Sequence, residues 1–336
     1  MASLNNTSKT CGTARCLAMV LAAGMCFLST APCPAGNPTA PAVVEITNSK
    51  DGSTQPAWFW APPPSSNGKP APLLVGLHNW HGNYRHKNGL LEAAQRRGWV
   101  VILPNFRGPN TNPKACASEL AIEDVLDAVA YAKKHANVDP RRIYLAGGSG
   151  GGHMALVMAT KAPKLWAGVS AWVPITDLAA WHAECTLRKN IYRKRLEQVC
   201  GGRPGTPKTD EQYRARSPIF FLADAQGVAI DMNAGIHDGH GVASVPISHS
   251  LRAFNVLAEV NGCRDKMLTE DQIKAMTDAA AVPTELAAEK VDEPGRPQPV
   301  LFRREAGPVR VTLFDGGHEM DANVACDWLA QQKQKN

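Results

Sequence analysis

The apolar positions of this chain fall into short continuous runs, separated by stretches with helical periodicity. Residues 73–77, 99–103, 143–146 and 167–173 are apolar nearly throughout. Runs of this length suit strands covered on both faces, as in a parallel sheet. Residues 90–97, 119–134, 151–160 and 248–260 read as helices. In the second of these, Ile122, Val125, Leu126, Val129 and Ala130 recur at helical spacing. Later, Val228, Ile230, Met232, Ala234 and Ile236 alternate, which predicts a strand with Asp231 and Asn233 on a less buried face. Residues 309–314 predict a last strand. Short strands at 42–47 and 57–61, and a hairpin around 303–309, suggest antiparallel additions. Residues 61–68 are a loop on composition.

Strand and helix in alternation predict an α/β fold, with a mostly parallel central sheet flanked by helices. Two polar inserts, near 176–217 and 261–299, interrupt the alternation. The first carries Trp181 and many basic residues; the second has a helical piece at 270–281 and a proline-rich end. Both read as lids or decorations on a single catalytic domain over 37–336, with a separate second domain as the alternative.

Composition narrows the class. An apolar share of 44% and a charged share of 20% suit a globular protein with a sizeable core. The leader reads as an export signal over residues 1–31. Lys9 and Arg15 precede an apolar run at 16–28, and Ser29, Thr30 and Ala31 fit a small-x-small cleavage site. An uncleaved anchor and a cut after Ala35 are the alternatives. The expected location is therefore periplasmic or extracellular, with no stable membrane insertion once the signal is removed. Net charge is +6, and Lys9 and Arg15 are the only charges before residue 40. The remainder is too mildly basic to imply nucleic acid. The basic stretch Arg188, Lys189, Arg193, Lys194, Arg195 reads as a solvated helix face. Export permits disulfides, and Cys185 with Cys200 is the first pairing to expect. No C-x-x-C pair marks a zinc site.

The sharpest chemical signal is Gly147-Gly148-Ser149-Gly150-Gly151 between a strand and a helix. A serine on a tight strand-to-helix turn projects its hydroxyl into a cleft, and the glycines at 147 and 151 relieve crowding beneath it. A phosphate loop is the competing reading, but the Gly-Lys-Ser/Thr ending is missing. A serine hydroxyl needs a base, and His318 follows the last strand in Asp315-Gly316-Gly317-His318. The orienting acid is sought between them. Asp238 closes the alternating strand and is the first choice, with Asp231 and Asp177 as rivals. Backbone N–H groups of Gly150 and of Trp80 or Asn79, after the 73–77 strand, are the candidate oxyanion donors. His78, Asp177 and Trp181 complete the expected substrate-binding set. A metal site on His237, Asp238 and His240 is the alternative, although the spacing fits no strong ligand signature. No cofactor and no metal is expected.

Gly-Gly-Ser-Gly-Gly, the Leu-His loop at 77–82, His-Asp at 237–238 and Gly-Gly-His at 316–318 together resemble the α/β-hydrolase superfamily. They resemble most the branch of prolyl oligopeptidases and polyhydroxybutyrate-depolymerase or feruloyl esterases, over roughly 55–330. Val245-Pro246 and the helix after it also match that branch. The family's Leu-His-Gly loop reads Leu77-His78-Asn79 here. The second position of the nucleophile turn, often aromatic in the peptidases, is Gly150. The resemblance implies a serine hydrolase acting on a small-molecule or polymer-linked carboxylic ester. A prolyl-oligopeptidase-type peptidase and a non-catalytic binding protein on the same fold are the alternatives.

Overall fold

The computed structural model describes residues 40–65, 68–241 and 245–334; the expected leader lies outside them. The strands are β1 (Ala42–Thr47), β2 (Thr54–Trp60), β3 (Ala71–Leu77), β4 (Val100–Pro104), β5 (Val138–Gly148), β6 (Gly168–Trp172), β7 (Ile230–Gly235), β8 (Val300–Ala306) and β9 (Val309–Phe314). They form one sheet in the order β1-β2-β4-β3-β5-β6-β7-β9-β8. From β4 to β9 every neighbouring pair is parallel. The edges are antiparallel, with β1 on β2, β2 on β4 and β8 on β9. The mostly parallel core is the one the apolar runs predict, and the arrangement is that of the α/β-hydrolase fold which the motif resemblance implies.

The helices are α1 (Leu90–Arg96), α2 (Glu119–His135), α3 (Gly150–Lys161), α4 (Leu178–Leu187), α5 (Tyr192–Cys200), α6 (Pro207–Ala215), α7 (Ser248–Val260), α8 (Glu270–Ala279) and α9 (Ala322–Ala330). On one face of the sheet, α2, α3 and α7 bury Val125, Met154, Leu156, Leu251 and Phe254 against Leu73, Leu145 and Met232. On the other, α1 and α9 close over Leu74, Val101 and Tyr144 with Leu90, Cys326 and Leu329. Helix α2 starts at Ser118, whose side chain accepts from the Ala121 N–H. Its inward stripe is Ala121, Asp124, Val125, Ala128, Val129 and Ala132, turned slightly from the one predicted. Ala130 faces solvent, while Asp124 turns in to meet Arg107 and Asn48.

Strand β7 departs from its pattern. Asp231 and Asn233 are fully buried. Arg310 on neighbouring β9 holds Asp231 at 2.6 Å, and the Asn233 amide donates to the same carboxylate at 2.7 Å. A polar alternation normally marks a wet face, but here a cross-strand ion pair replaces the water.

The insert at 176–217 folds as α4, α5 and α6. Its inner side is apolar, with Leu178, Trp181, Cys185, Leu196, Val199, Cys200 and Tyr213 packed on Trp80 and Cys116. Cys185 and Cys200 are free thiols, so the expected bridge is not formed. Their sulfurs serve as small apolar groups in this cluster, and burial pushes both thiols up to about 12.

Candidate active site

Chain order places the site. After β3 the chain moves to β4 on one side, then crosses back to β5 on the other, so the loops after β3 and β5 diverge from adjacent strands. Such a switch point opens a crevice at the carboxyl end of the sheet. Residues 78–82 and Ser149 lie there.

Ser149 sits between β5 and α3 with φ 57° and ψ −119°, a conformation that non-glycine residues rarely adopt. Its N–H donates to the Trp172 carbonyl at 2.8 Å, and its carbonyl accepts the His153 N–H at 2.9 Å. The turn closes because side chains are absent beneath it. A Cβ on Gly147 would lie 2.6 Å from the Gly151 carbonyl carbon, and one on Gly150 would lie 2.6 Å from the Trp80 backbone nitrogen. Gly150 and Trp80 therefore meet backbone to backbone beside the hydroxyl.

His318 follows β9. Its Nε2 lies 2.9 Å from Ser149 Oγ, and its Nδ1 lies 2.7 Å from Asp238 Oδ2. Asp238 is buried, and its other oxygen accepts the N–H groups of Gly239 at 2.9 Å and Val245 at 2.8 Å. Three residues distant in sequence thus form one hydrogen-bonded line. The acid and histidine loops are strapped together, since the His237 N–H donates to the Gly316 carbonyl at 3.0 Å. Gly235 makes that crossing possible, because a Cβ there would lie 2.2 Å from the Gly317 carbonyl oxygen. The carboxylate at Nδ1 holds the ring proton there, which leaves the Nε2 lone pair facing the hydroxyl. Such a line can take a proton from the alcohol and return it to a leaving group.

The rivals fall away on geometry. Asp231 is committed to Arg310. Asp177 caps α4, one of its oxygens accepting from the Ala179 and Ala180 N–H groups, and it does not line the cleft around Ser149. His78 is also not in the cleft. It is buried, stacked on Phe106 at 3.8 Å, with its nitrogens near the Asn79 and Asn105 carbonyls; burial lowers its pKa to about 4. Trp181 is buried edge-on to Trp80 at 4.9 Å, so it supports the cleft wall from behind. The alternative metal set diverges: His237 contacts Asp315, Asp238 contacts His318, and His240 contacts the Thr277 carbonyl.

The cleft around Ser149 has a volume of about 260 Å³. Asn79 and Trp80 line it as expected, together with His81, His86, Asn88, Tyr192, Glu319 and Met320, which the sequence reading missed. Tyr192 had a usable signal, since it precedes buried Leu196 and Val199 at helical spacing. Its hydroxyl lies 3.3 Å from His81 Nδ1, closing the rim between α5 and the β3 loop. His86 and Asn88 carry no such periodicity.

Residues 87–274 match the model of the prolyl oligopeptidase family, more than half of the chain. The chain belongs to the prolyl oligopeptidase family. Family and fold together are those of serine hydrolases. Among curated relatives, an S-formylglutathione hydrolase of Mus musculus is 32% identical over 154 residues, covering 36% of this chain and 53% of the relative. The uncharacterized peptidase YtmA of Bacillus subtilis (strain 168) is 30% identical over 156 residues, covering 46% and 56%. The chain spans about half the length of these relatives. Among solved structures, a puromycin-hydrolyzing peptidase of Mycobacterium tuberculosis has a TM-score of 0.56 at 18% identity, covering 86% of this chain and 37% of the other. A thermostable esterase has a TM-score of 0.51 at 15% identity, covering 88% and 63%. These likenesses concern the fold.

Proposed function

We propose that this protein is an exported serine hydrolase that cleaves a carboxylic ester through an acyl-enzyme, with Ser149 as nucleophile, His318 as base and Asp238 as orienting acid. The observation that carries the reading is the unbroken contact line from Ser149 Oγ through His318 to buried Asp238. In this scheme His318 Nε2 takes the Ser149 proton as Oγ attacks the carbonyl carbon. The resulting oxyanion is held by the N–H groups of Gly150 and Trp80, whose backbones meet beside the hydroxyl. The imidazolium then protonates the leaving alcohol, and water repeats the sequence on the acyl-enzyme.

The ester preference is supported by the similarity to S-formylglutathione hydrolase, a name that denotes hydrolysis of an acyl group on sulfur. A peptidase of the prolyl-oligopeptidase type is the second reading, favoured by the family description itself. Labelling by a fluorophosphonate tests the shared chemistry. The label is expected on Ser149 and absent from Ser149→Ala. Rates on p-nitrophenyl acetate and on proline-containing amides then separate the two readings. Amide turnover well above ester turnover would replace the first by the second. Amino-terminal sequencing of protein recovered outside the cytoplasm tests export, with a start after Ala31 expected.

A further inference from the structure

The corner joining α4 to α5 carries a surface that the hydrolase chemistry does not use. From Leu187 to Arg195 the chain holds five cations, Arg188, Lys189, Arg193, Lys194 and Arg195, and no acidic residue. Two of the four large exposed hydrophobic side chains among the described residues lie in the same stretch. They are Leu187, 85% exposed, and Ile191, 53% exposed. The nearby acids are engaged elsewhere: Glu184 faces His249, and Glu197 faces His182 and Arg203. Among the described residues no carboxylate forms an ion pair with Arg188, Lys189, Lys194 or Arg195.

A face that only needs solvation has no reason to expose two large aliphatic side chains within a cationic stretch. Exposing Leu187 and Ile191 to water is unfavourable, and gathering like charges around them adds repulsion. Both costs are relieved at one kind of surface. Anionic headgroups neutralise the cations while the acyl boundary takes the aliphatic groups. A soluble acidic polymer would satisfy the charges but leave the two apolar groups wet.

We propose that the α4–α5 corner docks this protein on an anionic phospholipid bilayer, with Leu187 and Ile191 entering the interface and Arg188, Lys189 and Lys194 meeting lipid phosphates. The corner abuts the cleft, because Tyr192, between Ile191 and Arg193, forms its rim. Docking therefore brings the cleft mouth close to the membrane surface. This inference goes beyond the hydrolase reading and is tested without reference to turnover.

The test is hydrogen–deuterium exchange of the full chain with phosphatidylglycerol vesicles, phosphatidylcholine vesicles or a soluble acidic polysaccharide. The reading is local, on peptides covering 187–195, so tethering through any other segment does not mimic it. Protection of that stretch is expected with phosphatidylglycerol alone. Neutralising three charges (Arg188→Gln, Lys189→Gln, Lys194→Gln) should raise the half-maximal lipid concentration about 100-fold, taking roughly fivefold per cation near such a surface. Leu187→Ser with Ile191→Ser should abolish the protection while the Tm stays unchanged, which shows that the fold survives. No protection with phosphatidylglycerol would overturn the proposal. So would equal protection by phosphatidylcholine or by the polysaccharide, or protection that survives the serine pair.

Discussion

Adding one methyl group at Gly150 tests the backbone approach next to Ser149. In Gly150→Ala the new Cβ would lie 2.6 Å from the Trp80 nitrogen, 2.7 Å from Trp80 Cα and 3.1 Å from the Asn79 carbonyl carbon. All three atoms are backbone, so no side chain can swing aside. Ordinary contact begins at 3.4 Å, so the β3 loop and the turn must separate by about 0.8 Å. A donor moved that far from an oxyanion first held at about 2.9 Å passes beyond hydrogen-bonding distance. Losing one such donor costs about 10²- to 10³-fold in kcat. Because the interaction belongs to the transition state, KM should change little. The strain itself should cost about 1–3 kcal/mol of stability, a fall of a few degrees in Tm. The assay is steady-state hydrolysis of p-nitrophenyl acetate beside thermal unfolding of the same preparation. A folded variant with normal kcat would refute the placement of the Trp80 N–H at the reacting oxygen. A variant that loses rate only through raised KM would show instead that the loop binds the ground state.

Ser149→Ala or His318→Ala should lower kcat on the order of 10⁴-fold or more with an unchanged Tm, measured by ester turnover and thermal unfolding. Asp238→Asn should keep the fold and slow turnover about 10⁴-fold, because an amide at Nδ1 favours the wrong imidazole tautomer. By contrast, Asp231→Asn should leave kcat near normal yet destabilise by about 3 kcal/mol in denaturant titration, since it strands the Arg310 guanidinium. Acid should unfold the protein partly through His153. This ring is buried, with Nε2 2.7 Å from the Arg216 carbonyl and Nδ1 without a partner among the described residues, and burial lowers its pKa to about 4. The unfolded chain binds a proton below about 6.5, whereas the folded chain resists until about 4, so this stability is intact above 6.5 and is lost between those values. Its size is on the order of 3 kcal/mol. Denaturant titrations at pH 7 and pH 4 should show a smaller acid loss in His153→Gln than in the wild type, and equal losses would remove His153 from the account.

Much of the cleft's geometry is legible in the sequence, and the side chains that turn elsewhere share one cause. Ser149, Asp238 and His318 each stand at a strand end beside glycines, so local pattern and chain order were enough to pick them out. His78, Asp177 and Trp181 stand beside the same loops, yet their side chains turn to a carbonyl pair, a helix cap and an aromatic cluster. A residue's position in a loop does not determine the direction of its side chain. Cys185 and Cys200 were drawn together by their flanking positions, whereas packing left them as separate thiols within one apolar cluster.

By itself the sequence determined the alternation of strands and helices, the turn that carries Ser149 and the chain order of Ser149, Asp238 and His318. These are local properties, written in apolar period and in glycine placement, and they need no distant partner. Only the tertiary structure decided that β7 is buried on both faces, that Asp231 belongs to Arg310, and that Tyr192 and His86 reach the cleft. Each of these depends on which strand or helix lies alongside, a contact across many residues that no short window of sequence contains.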